Sequence, residues 1–194
     1  DIHFALNQGD ILGLIGESGS GKSTIAKLIL NIWQPTNGKL TLHDKEIESY
    51  EDLSKEIQLV FQDPFSSLNP KHRIGKAIAE VLKHSTPNAS KSAVKNKVVS
   101  LLQEVGLTAS DFDKYPHEFS GGQRQRICIA KALAKNPKII VLDEAVSALD
   151  VSVQAKVLNL LNDLKREKGL TYLLISHDLN VISYFCNKII VLKQ

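Results

Sequence analysis

Methionine is missing from this sequence of 194 residues, and cysteine is nearly so. The two cysteines, Cys128 and Cys186, lie far apart and form neither a CxxC pair nor a spacing typical of metal ligands. This pattern excludes a disulfide-rich scaffold and predicts buried, reduced thiols in a cytosolic protein. Because the sequence starts at Asp1, lacks methionine and stops directly after an apolar run, we expect a fragment trimmed at both ends.

Long apolar runs and runs of one charge are also absent. No apolar stretch approaches the roughly 20 residues of a membrane-spanning helix, so we expect any membrane association to pass through a partner protein. The formal net charge is +3, and no five or six like charges follow one another, which argues against a nucleic-acid arm or a polybasic anchor. The short basic cluster at residues 71–73 is interpreted as a solvated face.

Helical and extended patterns alternate along the chain, which predicts an α/β domain with a mostly parallel sheet. The predicted strands are residues 11–16, 39–43, 57–61, 138–143, 170–176 and 188–192. The predicted helices are residues 22–33, 74–84, 91–106, 120–136 and 152–168, with a short one from Asp178. Residues 64–136 differ in character from the rest, so we expect a helical subdomain there, inserted into a core of residues 1–63 and 137–194.

The run GESGSGKS at residues 16–23 matches a phosphate-binding loop at every fixed position, with an apolar strand before it and a helix after it. Glycines let backbone N–H groups point at phosphate oxygens, and the following helix adds its positive end. Lys22 would meet the β- and γ-phosphates, and Ser23 would ligate Mg²⁺. The flanks disfavour a chance glycine turn. The predicted nucleotide-binding residues are Gly16, Glu17, Ser18, Gly19, Ser20, Gly21, Lys22, Ser23 and Thr24.

Two adjacent carboxylates follow another apolar strand. Asp143 and Glu144 would face the same crevice as the phosphate-binding loop, because ligands bind beyond the carboxyl ends of parallel strands. Asp143 suits the Mg²⁺ shell, through water, and Glu144 suits the orientation of an attacking water. An ordinary acidic turn is the alternative, and the nearby phosphate-binding loop disfavours it.

A second anion site is predicted at the start of the helix that follows Ser120. The run Ser120, Gly121, Gly122 and Gln123 combines an N-capping serine with two glycines, which leaves helix N–H groups accessible to an anion. The chain already has one phosphate-binding loop, so this anion is expected to come from elsewhere. The residues alone do not say which chain supplies it.

These motifs, in this order, resemble the ATP-binding (nucleotide-binding) domain of ABC transporters over essentially the whole chain. The order is the loop at residues 16–23, Gln62, residues 120–123, residues 143–144, the ALD run at residues 148–150 and His177. The resemblance implies a single domain with the fold of a P-loop NTPase. Its mostly parallel sheet would be flanked by helices and joined by a small antiparallel β subdomain and the inserted helical subdomain.

The resemblance also assigns roles to residues. It implies that Gln62, Glu144 and His177 are catalytic, with Gln62 contacting Mg²⁺ and the attacking water and His177 holding the γ-phosphate. Residues 120–123 would bind the ATP of a second, head-to-tail subunit, and Asp150 would lie in the loop at that dimer interface. The implied cofactor is Mg²⁺ with ATP.

Two longer runs narrow the resemblance. FQDPFSSLNP at residues 61–70 and SALDVSVQA at residues 147–155 are similar to the oligopeptide, dipeptide and nickel importer ATPases. The implied partners are transmembrane permease subunits and, indirectly, a substrate-binding protein, at the cytoplasmic face of the cell membrane. One departure is Ala145 and Val146, where that subfamily usually has Pro-Thr, and we expect the missing proline to relax the turn that carries Glu144.

Three functions fit the motifs. The first is the ATP-hydrolysing subunit of an importer of peptides or of nickel and other metal complexes, paired with an identical or a paralogous chain. The second is an ATPase of DNA repair or chromosome maintenance, but residues 22–120 lack sustained heptads and no basic stripe is present, so we expect no nucleic-acid partner. The third is a non-hydrolysing module that uses ATP only to dimerise.

Overall fold

A five-stranded parallel sheet forms the centre of the computed structural model, which describes residues 2–17, 19–47 and 50–193. The strands are β1 (Ile11–Gly16), β4 (Ile57–Val60), β5 (Ile139–Asp143), β6 (Thr171–Ser176) and β7 (Lys188–Leu192). Their order across the sheet is β4-β5-β6-β1-β7. A separate antiparallel pair joins β2 (Thr41–Leu42) to β3 (Lys45–Glu46).

Eight α-helices connect these strands in the described part of the chain. They are α1 (Lys22–Ile29), α2 (Tyr50–Glu56), α3 (Pro64–Ser67), α4 (Ile74–Ser85), α5 (Lys91–Glu104), α6 (Gly121–Leu133), α7 (Val151–Lys168) and α8 (Leu179–Phe185). Two short 3₁₀ turns, Ala109–Asp113 and Pro116–Glu118, lie before α6. Among the residues described, no helix combines the length and the apolar character needed to cross a membrane.

The strands β1, β5 and β6 are largely buried on both faces, whereas the edge strand β7 is mostly exposed. Successive side chains of a strand point to opposite sides of the sheet. In β5, Ile140 and Leu142 belong to one apolar cluster, which includes residues of α4 to α8. Val141 belongs to the other cluster, which includes residues of α1 and α2. The fold-class prediction, a mostly parallel sheet flanked by helices with a small antiparallel sheet, is confirmed. The chain between β4 and β5 contains only helices and turns, and the exact division at residues 63/64 and 136/137 stays a prediction.

The helix predicted for residues 22–33 ends earlier, at Ile29, so that prediction was too long. Asn31 adopts a left-handed conformation with φ of 53°. The N–H of Asn31 donates to Leu28 O, and the N–H of Ile32 donates to Lys27 O, both at 2.9 Å. These two hydrogen bonds end the helix. They accompany a left-handed residue at position 31, a conformation that asparagine tolerates better than most residues. The sequence also predicted that Pro35 and the Asn37-Gly38 turn stop this helix, but it ends before them.

The strand predicted for residues 39–43 is reduced to Thr41–Leu42. His43 and Asp44 take positive φ values of 51° and 62°, and they form a two-residue turn into β3. A turn with two left-handed residues suits the twist of a hairpin. The helices α2 and α3 were missed, because both are only one or two turns long and lack a sustained apolar period.

Candidate functional site

Four neighbouring strands end at one edge of the sheet, and each has a predicted site residue at or just after its end. Gln62 follows β4, Glu144 follows β5, His177 follows β6, and Gly16 is the last residue of β1. The strands are adjacent in the order β4-β5-β6-β1 and all parallel. Parallel strands direct their carboxyl ends to the same side, so residues distant in sequence meet at one crevice.

An open cleft of about 440 Å³ lies at this edge. Its lining consists entirely of predicted site residues: Gly19, Gly21, Lys22, Ser23, Thr24, Glu144 and His177. The loop after β1, the start of α1, the end of β5 and the end of β6 therefore converge on one space.

The loop before α1 holds a buried lysine. Lys22 is only 7% exposed, and its Nζ donates to Gly16 O at 2.7 Å and to Glu17 O at 2.8 Å. Gly21 precedes α1 with φ of 94°, a conformation that disfavours residues with a Cβ. A fixed ammonium beside the N-terminal end of a helix is a site suited to phosphate. Ser18, also predicted here, lies outside the described residues.

The remaining loop residues are packed closely. A Cβ on Gly16 would lie 2.5 Å from Ser20 Oγ and 2.8 Å from Leu192 O, so no larger residue fits there. Ser20 Oγ is buried and has no hydrogen-bond partner among the described residues. A buried hydroxyl without a partner is costly, and a ligand oxygen in this loop would satisfy it.

The two carboxylates at the end of β5 repel each other, and Asp143 is partly buried. Burial, and then the charge of Glu144, raise the pKa of Asp143 above its ordinary value, while Lys22 and Lys27 oppose the shift. A partly buried carboxylate beside a second carboxylate favours a proton or a cation. Lys27, on α1, was not among the predicted residues, although its position one turn beyond Ser23 is a signal that could have identified it.

The turn that carries Glu144 is held by hydrogen bonds, although it lacks the proline that the resembling subfamily usually has there. Glu144 takes a positive φ of 49°, and its N–H donates to Ile175 O at 2.9 Å. Its carbonyl accepts from the N–H of Ser147 at 3.0 Å and from Ser147 Oγ at 2.9 Å. Gln154 Nε2 donates to Val146 O at 2.9 Å. A non-glycine residue in this region persists where several contacts fix it, so the turn is held in place without proline.

Two further contacts connect the predicted catalytic residues. His177 Nδ1 lies 3.2 Å from Glu144 Oε1, and Gln62 Nε2 donates to Ser147 Oγ at 3.2 Å. Gln62 does not line the cleft, and within the described residues it reaches the Glu144 turn through Ser147. Neither Ser147 nor Gln154 was predicted as a site residue. The position of Ser147 three residues after Glu144 is a turn signal that could have identified it.

Residues 120–123 begin α6 and form a surface apart from the cleft. Ser120 Oγ accepts from the Gln123 N–H at 3.4 Å, and the Ser120 N–H donates to Gln123 Oε1 at 3.0 Å, a capping box. A Cβ on Gly122 would lie 2.3 Å from Val153 Cγ1, so α6 and α7 approach closely at this point. None of the four residues lines the cleft.

Asp150 begins α7 beside this surface. Its Oδ1 accepts from Ser152 Oγ at 2.8 Å and from the Val153 N–H at 3.0 Å. These hydrogen bonds hold the pKa of Asp150 below its ordinary value. A Cβ on Gly121 would lie 3.6 Å from Leu149, which places the start of α6 against the loop that ends at Asp150.

The predicted metal ligands supply oxygen only. Ser23, Gln62 and Asp143 offer a hydroxyl, an amide and a carboxylate, the donors that Mg²⁺ prefers. The described residues contain no group of three or more His, Cys, Asp or Glu side chains that could hold a metal alone. This donor set fits a Mg²⁺ ion that is shared with phosphate oxygens.

Comparison with known proteins places these features in a family. The family model for ABC transporters matches residues 1–147. The chain is 45% identical to the oligopeptide transport ATP-binding protein OppF of Haemophilus influenzae over 99% of its own length and 59% of that protein. It is 45% identical to the dipeptide transport ATP-binding protein DppF of the same organism, over 98% of the chain and 60% of the relative. The chain therefore spans about three fifths of these relatives.

A solved structure shows the same fold. It is a dimeric ATP-binding cassette in a post-hydrolysis state with bound ADP and Pi, 31% identical to this chain with a TM-score of 0.83. The match covers 98% of this chain and 84% of the cassette. With the family model matching most of the sequence, the chain belongs to the ABC transporter family.

Proposed function

We propose that this chain binds and hydrolyses ATP as the ATP-binding subunit of an ABC importer. The observation that carries the proposal is the convergence of Lys22, Ser23, Glu144 and His177 on one cleft. The names of the relatives at 45% identity, which are transport ATP-binding proteins, support it.

The proposed chemistry is the attack of water on the γ-phosphate, with cleavage of the bond to the β-phosphate oxygen. Lys22 and the N–H groups at the start of α1 would hold the phosphates. Glu144 would orient the water and accept its proton, and His177 would contact the γ-phosphate. The 3.2 Å contact between His177 Nδ1 and Glu144 Oε1 supports the placement of both side chains at the same phosphate. Most of the acceleration would come from positioning and charge stabilisation.

Mg²⁺ is the proposed metal. Ser23 would ligate it directly, Gln62 through its amide oxygen, and Asp143 through water. When bound, the ion would neutralise charge on the β- and γ-phosphates. The raised pKa of Asp143 supports this assignment, since a cation relieves the repulsion between adjacent carboxylates.

The second proposed partner is another ATP-binding subunit, identical or paralogous, in a head-to-tail arrangement. Residues 120–123 would contact the γ-phosphate held by that subunit, with Asp150 at the interface. Support comes from the separation of this surface from the cleft of the same chain, and from the related cassette solved as a dimer.

The proposed cargo is peptide, because the names of the relatives refer to oligopeptides and dipeptides. The chain would act at the cytoplasmic face of the membrane through permease subunits, with a substrate-binding protein as an indirect partner. A groove of about 250 Å³ supports a docked partner near Gln62. It is lined by the half-exposed Phe61, by Val81 and by Lys131, among others.

Replacement of the proposed base tests hydrolysis. We expect Glu144→Gln to reduce ATP turnover by about 10³-fold or more, because the amide cannot accept the proton, and to leave ATP-bound dimers. Phosphate release and sedimentation with ATP measure the two effects. Glu167→Gln, an exposed residue on α7, is the control and should behave as wild type. Unchanged turnover in Glu144→Gln would instead favour the non-hydrolysing module.

The alternative function, an ATPase of DNA repair or chromosome maintenance, is tested by nucleic-acid binding. A nucleic-acid partner predicts tight, salt-sensitive binding of duplex DNA, whereas an importer subunit predicts none at physiological salt. Electrophoretic mobility shift with a DNA duplex distinguishes them.

A further inference from the structure

The hydroxyl of Ser147 joins two of the proposed catalytic residues. It accepts from Gln62 Nε2 at 3.2 Å and donates to Glu144 O at 2.9 Å. The Ser147 N–H donates to the same carbonyl at 3.0 Å. One side chain thereby connects the loop after β4 with the turn after β5.

A hydroxyl is suited to this position because it donates and accepts at the same time. Alanine would remove both hydrogen bonds, and cysteine would replace them with weaker ones. Threonine would retain the donor and the acceptor. The requirement is therefore chemical and can be tested by comparing side chains of similar size.

The residues just before Ser147 make its hydrogen bonds more important for holding the Glu144 turn. Ala145 and Val146 stand where a proline would restrict the backbone, and Glu144 takes the positive φ of 49°. Two of the hydrogen bonds that define this turn come from Ser147, and a third runs from Gln154 to Val146 O. Ser147 thus supplies two of the contacts that hold the backbone from which the Glu144 side chain projects.

We infer that Ser147 is a positioning residue that sets the Gln62 amide and the Glu144 carboxylate relative to each other. The inference rests on the proposed hydrolysis of ATP. A displacement of the loop after β4 would be transmitted through the serine hydroxyl to the turn that carries the carboxylate.

Steady-state kinetics provide the first test. We expect Ser147→Ala to lower kcat by at least about three- to tenfold, because both hydrogen bonds of the orienting hydroxyl are lost. The KM for ATP should stay unchanged, because Lys22 and the loop before α1 are intact. Ser147→Thr should retain most of the activity. Ser100→Ala is the matched control: it removes a serine hydroxyl that donates to Glu104 on the same helix, α5, and it should leave kcat unchanged.

A double-mutant cycle separates positioning from general destabilisation. If Ser147 acts through Gln62, Ser147→Ala combined with Gln62→Ala should lose little more activity than Gln62→Ala alone. Multiplied losses in the double variant, or a Ser147→Ala enzyme with the wild-type kcat, would overturn the inference.

Hydrogen exchange gives a readout that does not depend on turnover. Ser147→Ala should raise exchange both in residues 57–62 and in residues 143–147, whereas Ser100→Ala should raise it in neither. Unchanged exchange after β4 would refute the link whether or not the chain hydrolyses ATP. If wild type and Glu144→Gln hydrolysed ATP at the same rate, the proposed function would be refuted, but the exchange test of Ser147 would remain valid.

Discussion

Single residues in this chain are fixed by short polar contacts at the ends of strands. Lys22 is buried yet has carbonyl partners in its own loop. Glu144 adopts an unusual backbone conformation because four hydrogen bonds define its turn. A third example is Asp10, before β1, which accepts from Lys188 Nζ at 2.8 Å and from the Asn7 N–H at 2.9 Å. Each contact crosses between segments that are far apart or sharply turned.

Asp10 makes stability depend on pH. The hydrogen bond from Lys188, with that from Asn7, lowers the pKa of Asp10 against the opposing effect of burial. A carboxyl whose pKa is lower in the folded state stabilises above its unfolded pKa, about 3.9, and loses that contribution as the pH falls through the folded pKa. We expect Asp10→Asn to lower the urea midpoint at pH 7.

The difference between Asp10→Asn and wild type should shrink progressively as the pH falls below about 4. Urea titrations at several pH values measure it. The control is Asp163→Asn, which removes an exposed partner of Arg166 on α7 and should change the midpoint little at any pH. A constant effect of Asp10→Asn across the pH range would contradict the assignment to Lys188.

Elements are positioned by close approach as well as by apolar burial. The helix α6 meets α7 at Gly122, where a Cβ would come within 2.3 Å of Val153 Cγ1. The neighbouring Gly121 has ordinary space, since the nearest side-chain atom would be 3.6 Å from its Cβ. The two glycines therefore have different reasons to be present, and the tight one sets the distance between the proposed phosphate-binding surface and the Asp150 loop.

Substitution of these glycines tests the packing. Gly122→Ala should lower the free energy of unfolding by up to about 2 kcal/mol, because an overpacking cost of roughly 1–3 kcal/mol is only partly offset by the roughly 1 kcal/mol gained in helix propensity. Adding Val153→Ala should recover part of that loss, since it removes the obstructing methyl group. Gly121→Ala is the control and should be neutral or stabilising. Denaturant unfolding measures all three variants against wild type, and equal effects at the two glycines would contradict the close approach.

The sequence predicted the positions of the long elements well, because apolar period, capping residues and turn signals agree there. The helix predicted from Ser120 begins as expected with its capping box, although it ends at Leu133. Strand ends were predictable too, so the position of Glu144 at the sheet edge of the loop before α1 followed from alternation. Gln62 and His177 were identified through the resemblance, and their strand-end positions agreed with it. The positive φ of Asn31, which shortens α1, could not be read from an apolar period.

Side-chain contacts between distant loops were the least predictable. The hydrogen bond from Gln62 to Ser147 joins residues that are 85 positions apart, and the approach of Gly122 to Val153 depends on how two helices cross. A sequence motif identifies such residues only one segment at a time. The residues that link segments emerge when the strands are placed side by side.

At the scale of the whole molecule, one sheet separates two apolar clusters and directs the polar site to one edge. The cleft is open and contains the phosphate-binding loop, the proposed base and His177. The surface at residues 120–123 lies outside it, beside the Asp150 loop. Under the proposed function, each of these two half-sites would be completed by a second chain in a head-to-tail pair, which is why dimerisation is central to the proposal.

The most direct test of that shared site is to mix two inactive variants. Lys22→Ala removes the charge that would hold the phosphates. Gly121→Asp places a carboxylate where the partner's phosphate would bind, and its acidic side chain suits the first turn of a helix, so α6 should remain folded. Each variant alone should be inactive, because both sites of its dimer carry the defect.

A mixed dimer would contain one doubly defective site and one intact site. An equimolar mixture should therefore regain about a quarter of wild-type ATP hydrolysis if the sites act independently and the chains pair at random. Circular dichroism of each variant and a mixture of wild type with Lys22→Ala are the controls. Recovered turnover above the sum of the two variants is the predicted result. Folded variants that dimerise with each other yet show no recovery would contradict an ATP site shared between chains.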